Sequence, residues 1–297
     1  MEDLIISDDS LTSVKEKVVL ITGGSSGIGR ATAQLCLDLG ANVVIGDLNS
    51  PRTPFENASN LKFVQTDVAE WESLRNLFIE TEKWFGRIDH VFAGAGLSMT
   101  PDFLEIKLDE NGLLAPPNTE TVDVNLTGSI YTAHLAIAYM TQLARNKTTG
   151  TGSIVLIASS AGFMNFPATD YAMSKHGVVG LTRSLSSKMK GQVRVNCVAP
   201  SWTDTEFLAG FVDLLRKVGS PLQSPEAVAR SVAFLFVDQE RNGDIIYSVG
   251  GRYREINNQK GGFLHHAREV LSVPEKAEGF MEKLVEFQIR HLQQQSS

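Results

Sequence analysis

The sequence predicts an α/β protein built on one doubly wound, mainly parallel sheet with helices on both faces. Three observations lead there. Short apolar runs rich in β-branched residues alternate with segments of helical periodicity through most of the 297 residues. Those runs are continuously apolar, as expected of parallel strands covered on both faces. Glycines, acids and hydroxyls gather where the runs end, which is the edge at which such a fold binds ligands.

The first strand is read in "KVVLITGG" (17–24). "GIGRATAQLCLDLGA" follows, with Ile28, Ala31, Leu35 and Leu39 at spacings of three and four and Gly40 as a stop, so it predicts a helix. "NVVIGD" (42–47), "KFVQTDV" (62–68) and "HVFAGAG" (90–96) predict the next three strands. "GSIVLIASS" (152–160), "QVRVNCVAP" (192–200) and "DIIYSVGG" (244–251) continue the series. Helical stretches at 70–85, 121–145, 171–190 and 225–237 separate them. The stretch 98–120 is long for a strand–helix loop, and such loops often carry function. No linker or repeat divides the chain. Residues 1–251 therefore read as one domain with an N-terminal arm at 1–16, and 252–297 as a C-terminal extension.

Composition narrows the partners. A net charge of −7 gives no electrostatic reason to expect nucleic acid. The acidic start "MEDLIISDDSLTSVKEK" lacks a secretory signal, and no apolar stretch reaches the ~20 residues of a membrane span. Cys36 and Cys197 lie in apolar surroundings and read as small core residues, which suits a reducing, cytoplasmic setting. No histidine pattern suggests a metal.

"TGGSSGIG" (22–29) joins the first strand to the first helix. Gly23, Gly27 and Gly29 let the backbone turn tightly and approach a pyrophosphate, which free N–H groups of the helix N-terminus then stabilise. The spacing is G-x-x-x-G-x-G rather than the general G-x-G-x-x-G. Neither Ser25 nor Ser26 would attract an extra phosphate. Asp47, at the end of the second strand, can accept hydrogen bonds from ribose hydroxyls and repels a 2′-phosphate. Arg52 keeps NADP open as the minority option beside NAD. Tyr171 and Lys175 are four apart and share a helix face. Phenol titrates near ~10, and a neighbouring ammonium favours the phenolate, so the pair can exchange a proton with a secondary alcohol.

Taken together, "TGGSSGIG", "DV" (67–68), "AGAG" (93–96), the Asn of "DVNLTG", "SS", "YAMSK" and "NCVAPSWTDT" resemble the short-chain dehydrogenase/reductase family, from about Lys17 to Gly251. The resemblance implies a Rossmann-type catalytic domain, with Tyr171 as acid/base and Lys175 binding the nicotinamide ribose and lowering the tyrosine pKa. It implies Asn125 as holder of a proton-relay water, and Asp67 and Val68 as the pair at the adenine. Thr203 and Thr205 would meet the carboxamide and pyrophosphate. Ser25, Ser26, Ile28, Leu48, Gly94, Ala95 and Gly96 would complete the dinucleotide wall. Pairing of the 121–145 and 171–190 helices in a homodimer or homotetramer is implied as well. The sequence is similar to fungal members acting in secondary metabolism.

Family members often read "ISSVAG", with the second serine acting. Aligning "IASSAG" (157–162) through its Ala-Gly puts Ser159 in that place. Strand alternation lets only one of Ser159 and Ser160 face Tyr171. Two departures stand out: Ala93 to Gly96 replace the family's "NNAG", and Ser201 replaces the glycine after Pro200. The expectation is an NAD(H)-dependent enzyme interconverting an alcohol and a ketone on a bulky apolar molecule such as a terpenoid or polyketide. The alternatives are an NADP(H)-dependent reductase and a non-catalytic dinucleotide-binding scaffold. Trp202 and Phe207 either line the substrate pocket or serve in packing. In the tail, Phe280, Met281, Leu284 and Phe287 at helical spacing predict a helix packed on the body or a neighbouring subunit.

Overall fold

A computed structural model describes residues 2–100, 103–146, 152–270 and Phe287. A short helix α1 (Asp8–Leu11) precedes β1 (Val18–Thr22), α2 (Gly27–Asp38), β2 (Asn42–Asp47), β3 (Leu61–Gln65), α3 (Trp71–Phe85) and β4 (His90–Ala93). Then come α4 (Glu120–Val122), α5 (Gly128–Ala138), β5 (Gly152–Ile157), α6 (Thr169–Lys188), β6 (Val193–Pro200) and α7 (Val212–Lys217). The series closes with α8 (Pro225–Val237), β7 (Ile245–Val249), β8 (Arg252–Glu255) and α9 (Phe263–Val270). The sheet runs β3-β2-β1-β4-β5-β6-β7-β8. Its first seven strands pair in parallel and β8 pairs antiparallel with β7. The reversal of strand order between β1 and β4 opens the crevice in which such sheets take ligands.

Side-chain alternation sends each strand's residues into two separate cores. Val19, Ile21, Val43 and Ile45 meet Ala33, Cys36 and Leu37 of α2 and Val228 and Val232 of α8. Leu20, Val44, Ile154 and Leu156 meet Leu74, Leu77 and Phe78 of α3, Ala133 and Ala136 of α5, and Val178 of α6. Cys36 and Cys197 are free and lie one in each core, where burial raises their thiols to about 12 and about 11.

The structure differs from the sequence reading in three places. The predicted 121–145 helix is interrupted by π-helical turns at Asp123–Thr127 and Tyr139–Leu143. The 98–120 stretch contains a tight turn, with the Asp109 carboxylate accepting from the Asn111 and Leu113 amides and an antiparallel bridge from Leu108 to Leu114. The sheet continues past Gly251 into β8, a four-residue edge strand whose outer side is met by Leu4 of the N-terminal arm, bonded through its amide to the Tyr253 carbonyl at 2.8 Å. A short "RYRE" run carries too little apolar signal to be read as a strand on its own. Phe280, Met281 and Leu284 lie outside the described residues. Phe263 of α9 stacks on Phe163 at 4.8 Å between ring centroids.

Arg194 of β6 ties the sheet to the end of α8. Its buried guanidinium donates to the carbonyls of Leu235, Phe236 and Asp238 at 2.9, 2.6 and 2.8 Å. Those carbonyls belong to a helix end that has no intrahelical donor for them. Arg194→Met removes the donor to the Phe236 and Asp238 carbonyls, while Leu235 keeps the Ser153 hydroxyl at 3.0 Å, and we expect a loss of about 3 kcal/mol in urea unfolding. A midpoint unchanged from wild type would mean that water replaces the guanidinium.

Candidate active site

The carboxyl ends of β1, β2, β4, β5 and β6 open on one cavity of about 750 Å³. Its floor begins at the glycine turn. Gly23 has φ +70° and packs so closely on the next strand's exit that an added Cβ would lie 2.6 Å from Ala95 Cα. A Cβ on Gly29 would lie 2.0 Å from the Gly23 carbonyl oxygen, so only glycine lets α2 start here. The cap residue Ser26 makes no side-chain cap, and α2 has no acid in its first turn. First-turn N–H groups are thus available to an anion in the cavity. Across the gap, the Thr205 methyl stands 3.4 Å from the position of a Gly27 Cβ. The turn is a cradle that any side chain would fill, and it fits a dinucleotide pyrophosphate.

Asp47 is held in place before any ligand arrives. Its Oδ2 accepts the Ser25 amide at 3.0 Å and its Oδ1 the Asn49 amide at 3.2 Å. Ser25 stands behind this carboxylate, its hydroxyl donating to the Asn49 carbonyl at 2.6 Å, and it does not line the cavity. The other cofactor candidates do: Ser26, Ile28, Leu48, Asp67, Val68, Gly94, Ala95, Gly96, Thr203 and Thr205 all face it together with the turn glycines. Arg52 lies 3.6 Å from Glu206, across the mouth. Ser201 does not adopt a left-handed backbone, and its amide donates to the Ser248 carbonyl at 2.8 Å.

At the far end stand Ser159, Tyr171 and Lys175. Ser159 follows β5 in an extended conformation; its Oγ accepts the Ala161 amide at 3.2 Å and stands near enough to the Tyr171 phenol to favour its charged form. Ser160 starts the next turn and also borders the cavity. Burial raises the Tyr171 pKa above the usual phenol value, and the Ser159 hydroxyl offsets part of that rise. Lys175 is buried, and desolvation brings its ammonium down to about 8. Its Nζ donates to the Ile157 carbonyl at 3.0 Å and lies 5.5 Å from the Tyr171 ring centroid. This corrects the direction expected for the phenol: desolvation, not the neighbouring ammonium, dominates its titration.

Asn125 sits fully buried in the π-helical turn before α5, a local geometry often found at functional sites. It does not line the cavity. Its Oδ1 accepts the Leu97 amide at 2.7 Å and its Nδ2 donates to the Leu97 carbonyl at 3.0 Å and to Ser174 Oγ at 3.3 Å. The side chain is thus committed to protein partners, and the Asn125 main-chain carbonyl accepts from Ser129 Oγ at 2.7 Å.

Of the wall around Tyr171, the sequence offered Trp202 and Phe207 as pocket or packing residues and missed Phe166, Met99 and Phe211. Phe166 and Phe207 approach the Tyr171 ring at 6.3 and 5.8 Å, Trp202 meets Phe166 at 6.1 Å, and Met99 and Phe211 extend the apolar lining. The one signal for Phe166 was its place five residues before Tyr171, in the loop that follows the Ser159 strand end. His176 points elsewhere, its Nδ1 2.8 Å from the Ala172 carbonyl oxygen.

Fold and site define a Rossmann-type α/β oxidoreductase. Comparison with known sequences makes this specific: a profile described as short chain dehydrogenase matches residues 17–213. The chain belongs to the short-chain dehydrogenase/reductase family. It is 45% identical over 276 residues to the short-chain dehydrogenase/reductase ascJ of Acremonium egyptiacum, covering 92% of this chain and 91% of that protein. It is 32% identical over 260 residues to 5'-hydroxyaverantin dehydrogenase of Dothistroma septosporum, covering 78% and 84%. Among solved structures, an NADPH-dependent 3-quinuclidinone reductase from Rhodotorula rubra superposes with a TM-score of 0.68 at 26% identity, covering 84% of this chain and 96% of that one. Among the described residues no helix is long and apolar enough to cross a membrane.

The lysine makes a testable demand on stability. Its pKa is about 8 when folded against an ordinary 10.5, so between those values the unfolded chain binds more protons than the folded one. Stability from this group therefore rises with pH across that window, and its burial penalty is fully present below it. Lys175→Met should raise the calorimetric melting temperature at pH 7 and flatten the rise between pH 8 and 10. A lower melting temperature at pH 7 would show that the bond to Ile157 outweighs desolvation.

Proposed function

We propose that this chain is an NAD(H)-dependent enzyme that interconverts a secondary alcohol and a ketone on a bulky, mostly apolar ring-bearing molecule. The observation that carries the reading is the shared cavity: Ser159, Tyr171 and Lys175 face the same space as the glycine turn and Asp47. Tyr171 gives or takes the proton of the substrate oxygen, and Ser159 orients that oxygen and stabilises its charge. Lys175 binds the nicotinamide ribose and, with water held at the Asn125 turn, relays protons. The glycine turn, Asp67, Val68, Gly94 to Gly96, Thr203 and Thr205 hold the dinucleotide. When bound, the nicotinamide supplies or accepts the hydride.

Three observations support the finer choices. The preorganised Asp47 favours ribose hydroxyls over a 2′-phosphate, and Arg52 is directed to Glu206. The wall of Phe166, Trp202 and Phe207 suits a flat apolar ring, in keeping with a relative named for a hydroxyaverantin substrate. Ile130 of α5 and Met173 of α6 are exposed, which supports pairing of these helices in a homodimer or homotetramer. NADP(H) is the second reading, favoured by the NADPH dependence of the quinuclidinone reductase.

Fluorescence titration should show NADH binding at least about tenfold more tightly than NADPH, given the cost of a buried phosphate–carboxylate contact. A preference for NADPH removes the role given to Asp47. Tyr171→Phe should lower turnover of a cyclic-ketone panel by roughly 10²–10⁴-fold while leaving NADH affinity intact. Full activity in that variant would take the proton step away from Tyr171, and dinucleotide binding without turnover by the wild type would point to a scaffold.

A further inference from the structure

We propose that Asp170 is a positioning residue that sets the substrate-pocket wall opposite Tyr171, a role that rests on the oxidoreductase reading above. Asp170 is completely buried at the start of α6, yet the proposed chemistry does not use it. Its Oδ2 accepts the Thr100 amide at 2.8 Å, and its Oδ1 accepts the amide of Tyr171 at 2.8 Å. The Thr100 and Thr121 hydroxyls stand beside it, 3.1 Å from each other. Burial alone would raise its pKa, but its hydrogen bonding, chiefly with Thr100, outweighs burial and holds the carboxyl below the usual range.

Both amide donors are uncharged, so the ion is sustained only while they stay in place. The Thr121 hydroxyl donates to the Ser98 carbonyl at 2.9 Å and so accepts from the Thr100 hydroxyl at 3.1 Å. Asn125 grips the same segment at Leu97 through amide and carbonyl. Residues 97–100 are therefore pinned at three points along four residues. Leu97, Ser98 and Met99 are also cavity wall. Because the last pin is shared with the Tyr171 amide, the carboxylate couples the wall to the residue that carries the phenol. Its effect is mechanical. The Tyr171 titration is set by burial and by Ser159, so Asp170 acts on how substrate fits rather than on the proton.

Asp170→Asn preserves shape but replaces one acceptor by an NH2 that faces N–H donors. The experiment compares wild type, Asp170→Asn, the milder Thr121→Val and the double variant. The first readout is amide hydrogen exchange at Thr100, and the second is a KM-against-kcat comparison for a bulky cyclic ketone with NADH. We expect Thr100 exchange in Asp170→Asn to speed up about tenfold and KM to rise about tenfold, the size of one lost charge-assisted bond. kcat and NADH affinity should stay within about twofold. Thr121→Val should shift both readouts the same way by less, and the two changes should be non-additive. Unchanged exchange at Thr100 in both single variants overturns the proposal whether or not any ketone is turned over. So does a fall in kcat with KM unchanged, the signature of a smaller folded fraction. Absence of turnover by wild type sinks the enzyme reading instead, and the exchange result then decides the pin by itself.

Discussion

Lys175 commits a buried ammonium to the carbonyl of Ile157 at 3.0 Å, and this bond joins α6 to the end of β5. Burial of a cation costs free energy, as its lowered pKa of about 8 records. What the cost secures is register. Ile157 lies two residues before Ser159 and Lys175 four after Tyr171, so the bond aligns the serine hydroxyl with the phenol. The Ser174 hydroxyl donates to the Tyr171 carbonyl and receives the Asn125 amide, which in turn grips Leu97. A continuous path of buried polar contacts thus links β5, α6, the π-helical turn and the exit of β4. In the low dielectric of the interior each link is stronger than in water, and each would be costly to leave unmade.

The parts of this arrangement that were legible in the sequence are those with a short-range cause. Gly23 and Gly29 are required by backbone approaches within one strand–turn–helix unit, and Tyr171 and Lys175 by the helical repeat. The strands were visible because parallel strands covered on both faces are uniformly apolar. What escaped depends on distant partners. Asp170 reads as an ordinary acid in a helix's first turn; only Thr100, seventy residues earlier, shows that it is buried and bonded. The Asn125 side chain likewise finds its main partner at Leu97, on another segment. The π-helical turn inserts a residue that no 3.6-residue period reveals. Trp202 and Phe207 after β6 were open to a pocket role, but Phe166 after β5 joins them only in the fold, so no local pattern shows the wall as a whole.

Charge around the cavity is uneven in a way that bears on the dinucleotide. Among the described residues, Asp47, Asp67, Glu120, Asp123 and Glu206 border it, against the ammonium of Lys175. A pyrophosphate entering this space therefore depends on the N–H groups at the start of α2, whose dipole offers positive potential where side chains offer little. A further phosphate at the adenosine ribose would meet Asp47 with no such compensation from α2. Arg52 is exposed and paired with the equally exposed Glu206, a contact of small energetic weight that solvent and salt weaken. That pair is weak, so in the proposed reading the choice at the ribose rests on Asp47 and on the two amides that aim it.

The titration of the site adds a directional argument to the proposed chemistry. Burial holds the Tyr171 phenol above its usual pKa, so near neutrality the resting side chain is an acid with a proton to give. Lys175, at about 8, still carries its proton at pH 7, as the proposed relay requires. A resting state with both groups protonated matches what ketone reduction needs, a donor for the oxygen that gains charge. Alcohol oxidation instead needs the phenol to surrender its proton first, into a pocket whose apolar lining penalises the anion. The Ser159 hydroxyl offsets part of this penalty, because it favours the charged phenol. In the proposed chemistry the same serine orients the substrate oxygen, so its place at the irregular end of β5, directly before the turn at Ser160–Gly162, serves both roles.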